Sequence, residues 1–114
     1  TVAEALASTL SDDGIILRLA GTSRFDTARV INDFAFASTE TYPDFAFIAN
    51  GLGFADALTG GPLASRFGAP MFLSTQRCLD VDVFIDLLDL LVVEAYALGS
   101  PIALSDRVLY GDFC

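Results

Sequence analysis

The sequence contains no histidine and no lysine. Without histidine it cannot form a Ser-His-Asp or Cys-His nucleophile arrangement, and with two cysteines far apart it shows no common zinc pattern. We therefore expect no catalytic site of these types, no metal and no cofactor. Fifteen acidic residues outnumber six arginines, giving a net charge of −9. Because such a surface repels phosphate backbones, nucleic acid is not an expected partner.

Long apolar runs are also missing. Although 54% of the 114 residues are hydrophobic, no uninterrupted stretch approaches the ~20 residues that span a bilayer, so no membrane span is expected. The first residues lack the basic segment and apolar stretch of a signal peptide, an observation that leaves secretion open. The length predicts one soluble domain, 1–114, with a core of its own.

Cysteine occurs only at Cys78 and Cys114. Two interpretations stay open: a pair of free thiols, or a disulfide that would stabilise the fold by roughly 3–4 kcal/mol through loop closure. An extracellular location would favour the disulfide.

Residues 45–74 organise the chain. Apolar runs at 45–49 and 71–74 predict strands, and the residues between them predict a turn and a helix, which makes a βαβ unit. The other predicted elements are strands at 15–20 and 92–98 and helices at 2–10, 23–34, 80–91 and from 105. Together they predict an α/β fold with a four-stranded, mostly parallel sheet covered by helices on both faces. This is a three-layer sandwich of the Rossmann or flavodoxin type, with strand order 2-1-3-4.

Glycine and proline mark the turns of the βαβ unit. Gly51 and Gly53 are expected to give the backbone freedom for a sharp turn, and Gly68 to form a left-handed helix cap. Pro62 lies inside the helical stretch, where it lacks an N–H group, so we expect a kink or restart.

Two predicted helices are amphipathic. The helix from Ser23 begins with a capping-box pattern. We expect its sheet-facing residues to be Phe25, Ala28, Ile31 and Phe34, and its solvated residues to be Asp26, Arg29 and Asp33. The helix at 80–91 carries two apolar stripes: Val81, Phe84, Leu88 and Leu91 form one, and Val83, Leu87 and Leu90 form the other. Since one stripe suffices to cover a sheet, the second is either buried or faces a partner.

Ligands of parallel α/β folds bind beyond the carboxyl ends of the strands. Four polar candidates follow those ends: Ser23, Arg24, Asn50 and Arg77. A guanidinium group suits phosphate or carboxylate, and the helix that begins at Ser23 adds amide donors for an anion. For Arg24 and Arg77, a binding role and a structural role both stay open.

Other residues near these ends favour structural roles. Arg18 is expected to pair with Asp56 or another carboxylate, because an unpaired charge within a strand is costly. Asp26 and Asp56 are expected to cap helices. The glycines do not indicate a nucleotide loop, since the third glycine and the acidic ribose partner are missing.

Four blocks of sequence resemble the cell wall-binding repeat 2 family. They are RLAGTSRFDTA at 18–28, GLGFADAL at 51–58, PLA at 62–64 and GAPMFLS at 68–74. The resemblance covers nearly the whole chain, in the order and spacing of the family pattern. In addition, residues 1–14 and 102–114 resemble the shared ends of a tandem repeat.

The resemblance implies a secreted, non-catalytic module of Gram-positive surface proteins. Such modules occur in three tandem copies that pack as a pseudo-trimer and bind an anionic secondary wall polymer. The family's Pro-Ile-Leu-Leu segment, implicated in that binding, is here Pro70-Met71-Phe72-Leu73, changed in two positions.

The sequence therefore leads to three hypotheses. The first is a wall-anchoring module, whose partner is an anionic or neutral glycan held by the strand ends and Pro70 to Leu73. The second is a trimerisation module that uses the spare stripe at 80–91. Its partners would be further copies of the same chain, in a homo-oligomer, or neighbouring repeats. The third is a small-molecule-binding domain of flavodoxin type. The net charge conflicts with simple attraction of a polyanion, so local arginines, bridging cations or an uncharged glycan would be needed.

Overall fold

The computed structural model describes residues 16–36 and 42–114. Within them the elements are, in order, α1 (Arg24–Phe36), β1 (Phe45–Asn50), α2 (Phe54–Arg66), β2 (Met71–Ser74), α3 (Val81–Asp89), β3 (Glu94–Leu98) and α4 (Asp106–Leu109). The helix predicted at 2–10, residue 15 of the first predicted strand and residues 38–41 lie outside the described residues. No helix of the described part combines the length and apolarity needed to cross a membrane.

The sheet has three parallel strands, with β1 between β2 and β3. The predicted α/β class and parallel pairing are confirmed. The predicted order 2-1-3-4 is wrong, because it made the strands at 71–74 and 92–98 neighbours whereas β1 separates them. Residues 16–20 form no strand, and Ile16 and Leu17 are exposed, so their apolar character does not reflect a strand covered on both faces. The four-stranded Rossmann-like sandwich is therefore not reproduced.

Helix α2 runs without interruption through Pro62, so the expected restart is wrong. Pro62 removes only one hydrogen bond, and the helix stays anchored by Ala64, which is buried against the sheet. The helix ends in the predicted glycine cap, where Gly68 has a φ of +58°. The amide of Gly68 donates to the Ser65 carbonyl, and that of Ala69 donates to the Ala64 carbonyl.

The turn before α2 uses its glycines differently from the prediction. Gly53 has an extended backbone, with φ −120°, and Gly51 is not among the residues with positive φ. A side chain at Gly51 would instead place its Cβ 2.5 Å from the Phe25 ring. Close packing by Phe25, rather than backbone freedom, explains glycine at position 51.

Alternate residues of β1 point into two hydrophobic clusters on opposite faces of the sheet. The first cluster, which we call the disulfide face, contains Ala46, Ile48, Phe72, Leu79, Val83, Leu104 and Val108. The second, which we call the α2 face, contains Phe47, Ala64 and Ala69. The larger core therefore lies under α3 and α4, and the smaller one under α2.

A disulfide between Cys78 and Cys114 closes a separation of 36 residues, with the two Cα atoms 5.0 Å apart. Beside it, the Leu79 amide donates to the Asp112 carbonyl at 2.8 Å, and the Cys114 amide donates to the Leu79 carbonyl at 3.0 Å. These bonds fasten the end of the chain to the segment that enters α3. They hold α4, with its buried Val108, over the disulfide face.

Helix α1 meets the edge of the sheet through a polar residue. Asn32 is buried, and its side-chain amide donates to the Met71 carbonyl at 2.9 Å. Ile31 and Phe34, which were expected to face the sheet, are exposed. Because β2 is an edge strand, its outward carbonyl needs a donor from elsewhere, and Asn32 supplies one.

Arg29 was expected on a solvated face, but it joins α1 to α3. Its Nε lies 2.7 Å from Asp86 Oδ2, and a second guanidinium nitrogen lies 3.2 Å from Asp86 Oδ1. Asp26 and Asp82 add ion pairs at 3.4 and 3.6 Å. The hydrogen bonds that Arg29 donates to Asp86 raise the pKa of Arg29 above its ordinary value. This fork-shaped pair fixes the relative position of the two helices.

Helix α3 buries one of its two stripes. Val83 is fully buried, and Leu87 and Leu90 pack against the disulfide face. The outer stripe, which consists of Val81, Phe84, Leu88 and Leu91, is exposed. Of the two alternatives left open by the sequence, the structure places the outer stripe at the surface.

Candidate functional site

The three strands end at one edge of the sheet, which we call the carboxyl edge. The Gly51 amide donates to the Ser74 carbonyl at 2.9 Å, joining the ends of β1 and β2. Arg24, at the start of α1, donates from Nη1 to the Gly51 carbonyl at 2.7 Å. The structure therefore brings Arg24 and Asn50 together at this edge, as parallel strands predict.

The start of α1 is capped by its own side chains at the carboxyl edge, in a variant of the predicted capping box. The Ser23 hydroxyl accepts a hydrogen bond from the Asp26 amide at 3.2 Å, and the Asp26 carboxylate accepts one from the Thr22 amide at 2.9 Å. Ser23 remains exposed. Its hydroxyl nevertheless serves the helix end, which leaves the helix amides as the donors for a ligand.

Asn50 uses both ends of its side-chain amide within the fold. Its Nδ2 donates to the Ala103 carbonyl at 2.6 Å, and its Oδ1 accepts from the Leu52 amide at 2.8 Å. Asn50 thus ties the end of β1 to the segment before α4. Because these two hydrogen bonds lie within the fold, the Asn50 side chain has less hydrogen-bonding capacity left for a ligand.

Arg18 and Asp56 do not form the expected ion pair, and Arg18 is exposed. Asp56 lies in the first turn of α2, next to Gly99, where an added Cβ would come 2.5 Å from its carboxylate. In the described part of the chain, no first-turn amide of α2 donates to this carboxylate, so the expected cap is not formed. Its negative charge still complements the positive end of the helix.

The loop after β2 contributes Arg77, which is exposed. The Ser74 hydroxyl beside it donates to the Cys78 carbonyl at 3.0 Å, and the Ser105 amide donates to the Gln76 carbonyl at 2.7 Å. The loop is therefore held by the disulfide region and by α4, while its arginine projects from the surface.

The segment from Pro70 to Leu73 consists of the residue before β2 and the first three residues of β2. Pro70 and Phe72 are buried, whereas Met71 and Leu73 are half-buried. Phe72 belongs to the disulfide face, and Met71 packs beside the α2 face. The ligand role of this segment stays a prediction, and burial restricts the accessible part to Met71 and Leu73.

The sequence interpretation missed an aromatic pocket towards the opposite end of the strands. Phe45, Phe47, Leu63, Phe67 and Tyr96 line a cavity of about 260 Å³. The alternation of aromatic residues in β1 was a signal for it, because both phenylalanines point to the same face. What the sequence could not supply was that Phe67 and Tyr96 lie next to these two phenylalanines.

No group of three or more histidine, cysteine, aspartate or glutamate residues that could hold a metal ion occurs within 16–36 and 42–114. In the described residues, this edge offers helix amides, arginines and apolar side chains. That set suits binding of a ligand.

Comparison with known proteins finds a similar solved structure, Cwp6 from Clostridium difficile. The two folds superpose with a TM-score of 0.73 at 24% sequence identity, over 88% of this chain and 17% of the Cwp6 chain. This likeness concerns the fold, and the chain spans about a sixth of the length of Cwp6. No curated protein sequence matches the chain.

The family comparison covers most of the chain. Residues 18–109 match the model of Cell wall binding domain 2 (CWB2). This range contains all four blocks that carry the resemblance seen in the sequence, and it includes every helix and strand of the described fold. The chain belongs to the CWB2 family of cell wall-binding domains.

Proposed function

We propose that this domain is a non-catalytic module that binds a cell wall polymer and holds its parent protein at the cell surface. The observation that carries the proposal is the CWB2 match across 18–109. The carboxyl edge supports it, because Arg24 at the start of α1 and Arg77 in the loop after β2 are both exposed. Guanidinium groups and helix amides suit sugar hydroxyls as well as anionic substituents.

The charge of the domain restricts how such a polymer would bind. With a net charge of −9, the domain repels a polyanion that comes within about 10 Å at 0.1 M salt, because salt screens the repulsion at larger distances. Binding would therefore depend on short-range contacts with the arginines of the carboxyl edge. A neutral polymer, or an anionic polymer neutralised by divalent cations, fits this requirement best.

The disulfide supports a location outside the reducing cytosol. Cys78 and Cys114 are both engaged in it, and the described part of the chain has no free cysteine. Disulfides of this structural kind persist in oxidising compartments and on cell surfaces. Secretion to the cell wall is therefore part of the proposal.

Co-sedimentation with purified Gram-positive cell walls tests the function. We expect the wild-type domain to pellet with walls at low and at physiological salt. The double substitution Arg24→Ala and Arg77→Ala should weaken binding at least fivefold. Arg66→Ala, which removes the same charge from the exposed end of α2, should leave binding within twofold of wild type. Arg24→Lys should retain part of the binding, since it keeps the charge.

Two results would contradict this proposal. If the wild-type domain does not pellet with walls at either salt concentration, the binding function is wrong. If the double arginine variant pellets as well as wild type, the function stands but the carboxyl edge is not the site.

A second candidate function is self-association through the outer stripe of α3. Phe84 and Leu88 from this stripe, together with Val93, Leu109 and Tyr110, line an apolar groove of about 480 Å³. All five are exposed. A contiguous apolar surface of this kind is typical of a protein interface, and a second copy or a neighbouring repeat would cover it.

Sedimentation velocity distinguishes this candidate from a monomeric wall binder. Self-association predicts a concentration-dependent trimer or other oligomer, which Leu88→Glu should dissociate while Leu58→Glu, also exposed but on α2, should not. A monomer at concentrations up to 1 mM would exclude self-association of the isolated domain.

A further inference from the structure

The aromatic pocket differs from the rest of the surface because its rings surround an open space. Phe45 and Phe47 from β1 form the floor. Phe67 and Tyr96 form the walls, and each floor ring contacts both of them. The ring centroid of Phe45 lies 5.8 Å from that of Phe67 and 5.8 Å from that of Tyr96. The ring centroid of Phe47 lies 6.4 Å from that of Phe67 and 5.8 Å from that of Tyr96. Phe67, at the end of α2, and Tyr96, in β3, thus both border the floor of the pocket.

The walls are accessible while the floor is fixed. Phe67 is 54% exposed and Tyr96 is 46% exposed, whereas Phe47 is only 5% exposed and belongs to the α2 face. A volume of about 260 Å³ is slightly below the ~300 Å³ at which pockets for drug-sized ligands begin. The pocket therefore has room for one ring of a ligand and is largely preformed.

A polar group lies at the rim of this apolar pocket. The Tyr96 hydroxyl donates a hydrogen bond to the Glu94 carboxylate, and Glu94 is exposed. This bond raises the pKa of Tyr96 above its ordinary value. The carboxylate keeps acceptor capacity for a second donor, such as a hydroxyl or ammonium group.

We propose that the aromatic pocket binds a single non-anionic pyranose ring of the wall polymer. The C–H face of the sugar would stack between Phe67 and Tyr96, and a hydroxyl or amino group of the ring would donate to Glu94. This inference rests on the proposed wall-binding function and adds a second subsite, distinct from the carboxyl edge.

The chemistry of the pocket selects against an anionic sugar. Aromatic faces carry partial negative charge and attract C–H groups and cations. Glu94 repels carboxylate and phosphate groups, and the net charge of −9 adds to that repulsion. A neutral or amine-bearing pyranose meets each of these requirements, and it removes the conflict between an acidic domain and a polymer ligand.

Substitutions in the pocket test the proposal in the same wall co-sedimentation experiment. Tyr96→Ala and Phe67→Ala should each weaken binding about tenfold or more. Tyr96→Phe, which keeps the ring and loses the hydroxyl, should weaken it less than threefold. Phe34→Ala serves as the matched control, because this phenylalanine is exposed on α1 and does not line the pocket, and it should bind like wild type. Circular dichroism establishes that each variant is folded.

Soluble probes identify the sugar class. Backbone amide shifts should be followed during titration with hexasaccharides of glucosamine, of N-acetylglucosamine and of galacturonic acid. We expect shifts at residues of β1 and β3 around the pocket with one of the first two probes, and none with the anionic one. Glu94→Gln should reduce any preference for glucosamine over N-acetylglucosamine.

The outcomes separate this inference from the wall-binding function. If wild type does not pellet with walls, the wall-binding function fails. If wild type pellets and both Tyr96→Ala and Phe67→Ala pellet equally well, the pocket is not a sugar site and the inference is overturned. The inference is also overturned if these variants change only the oligomeric state, because the pocket is then a protein interface. It is likewise overturned if the anionic hexasaccharide alone shifts the amide signals of the pocket.

Discussion

The two faces of the sheet are secured in very different ways. The disulfide face has a cluster of seven buried residues, a disulfide across it and an ion-paired helix at its border. The α2 face has a cluster of three, and it leaves Phe67 and Tyr96 half open. We infer from this difference that the disulfide face contributes most of the stability. The exposed aromatic side chains of the α2 face agree with the proposal that this face serves recognition.

The sharpest test of this comparison replaces one phenylalanine on each face of the sheet with alanine. Phe72→Ala should cost roughly 3–5 kcal/mol, because Phe72 is fully buried and its removal leaves a cavity. Phe67→Ala should cost only about 1 kcal/mol, since half of its surface is already in water. Chemical denaturation followed by circular dichroism measures both. Equal losses would contradict the assignment of stability to the disulfide face.

Removal of the disulfide should have the next largest effect. The double substitution Cys78→Ala and Cys114→Ala releases a loop of 36 residues and should cost roughly 2–4 kcal/mol. Thermal melts of this variant and of reduced wild type should agree. The amide shifts of the α2 face should stay unchanged below the melting temperature. A loss under about 1 kcal/mol would show that packing alone holds α4 in place.

The polar contact between α1 and β2 should contribute less. Asn32→Ala leaves the Met71 carbonyl without its side-chain donor, so it should cost about 1–3 kcal/mol. Asp33→Ala is the matched control, because its side chain is exposed one residue away, and it should stay within about 0.5 kcal/mol of wild type. Urea denaturation gives both values, and equal values would mean that water replaces the Asn32 amide.

The sequence predicted some elements of the fold more accurately than others. Strands β1 and β2 and helix α3 were predicted within one or two residues, because their apolar periodicity reflects burial directly. The position of β1 between β2 and β3 was not predictable, since strand order depends on contacts between distant segments. The continuity of α2 through Pro62 was missed for a similar reason: packing against the sheet outweighed a local preference.

The candidate site was predicted only in part. Arg24 and Asn50 do meet at the carboxyl edge, as the strand ends predicted. The sequence could not show that the Asn50 side chain is occupied by Ala103 and Leu52, because these partners follow from the folded loop. The burial of Asn32 could not be recognised from the sequence either. The hydrophobic pattern of α1 predicted that apolar residues of the helix, and not Asn32, face the sheet.

The smallest predicted effect concerns Leu91, which belongs to the outer stripe of α3. Leu91 follows the end of α3 with a φ of +55°, the only positive value outside glycine in the described residues, and its side chain is exposed. A left-handed backbone costs about 1–2 kcal/mol for a residue with a side chain, so Leu91→Gly should stabilise the monomer by about 0.5–1 kcal/mol after the entropy of glycine is counted. Leu88→Gly, in the last turn of α3, should instead destabilise it by up to about 1 kcal/mol. If the outer stripe also contacts a second copy, Leu91→Gly should raise the melting temperature of the dilute monomer and weaken oligomers in sedimentation velocity. A variant that melts at the wild-type temperature would show that the strain at Leu91 is offset by contacts of its side chain.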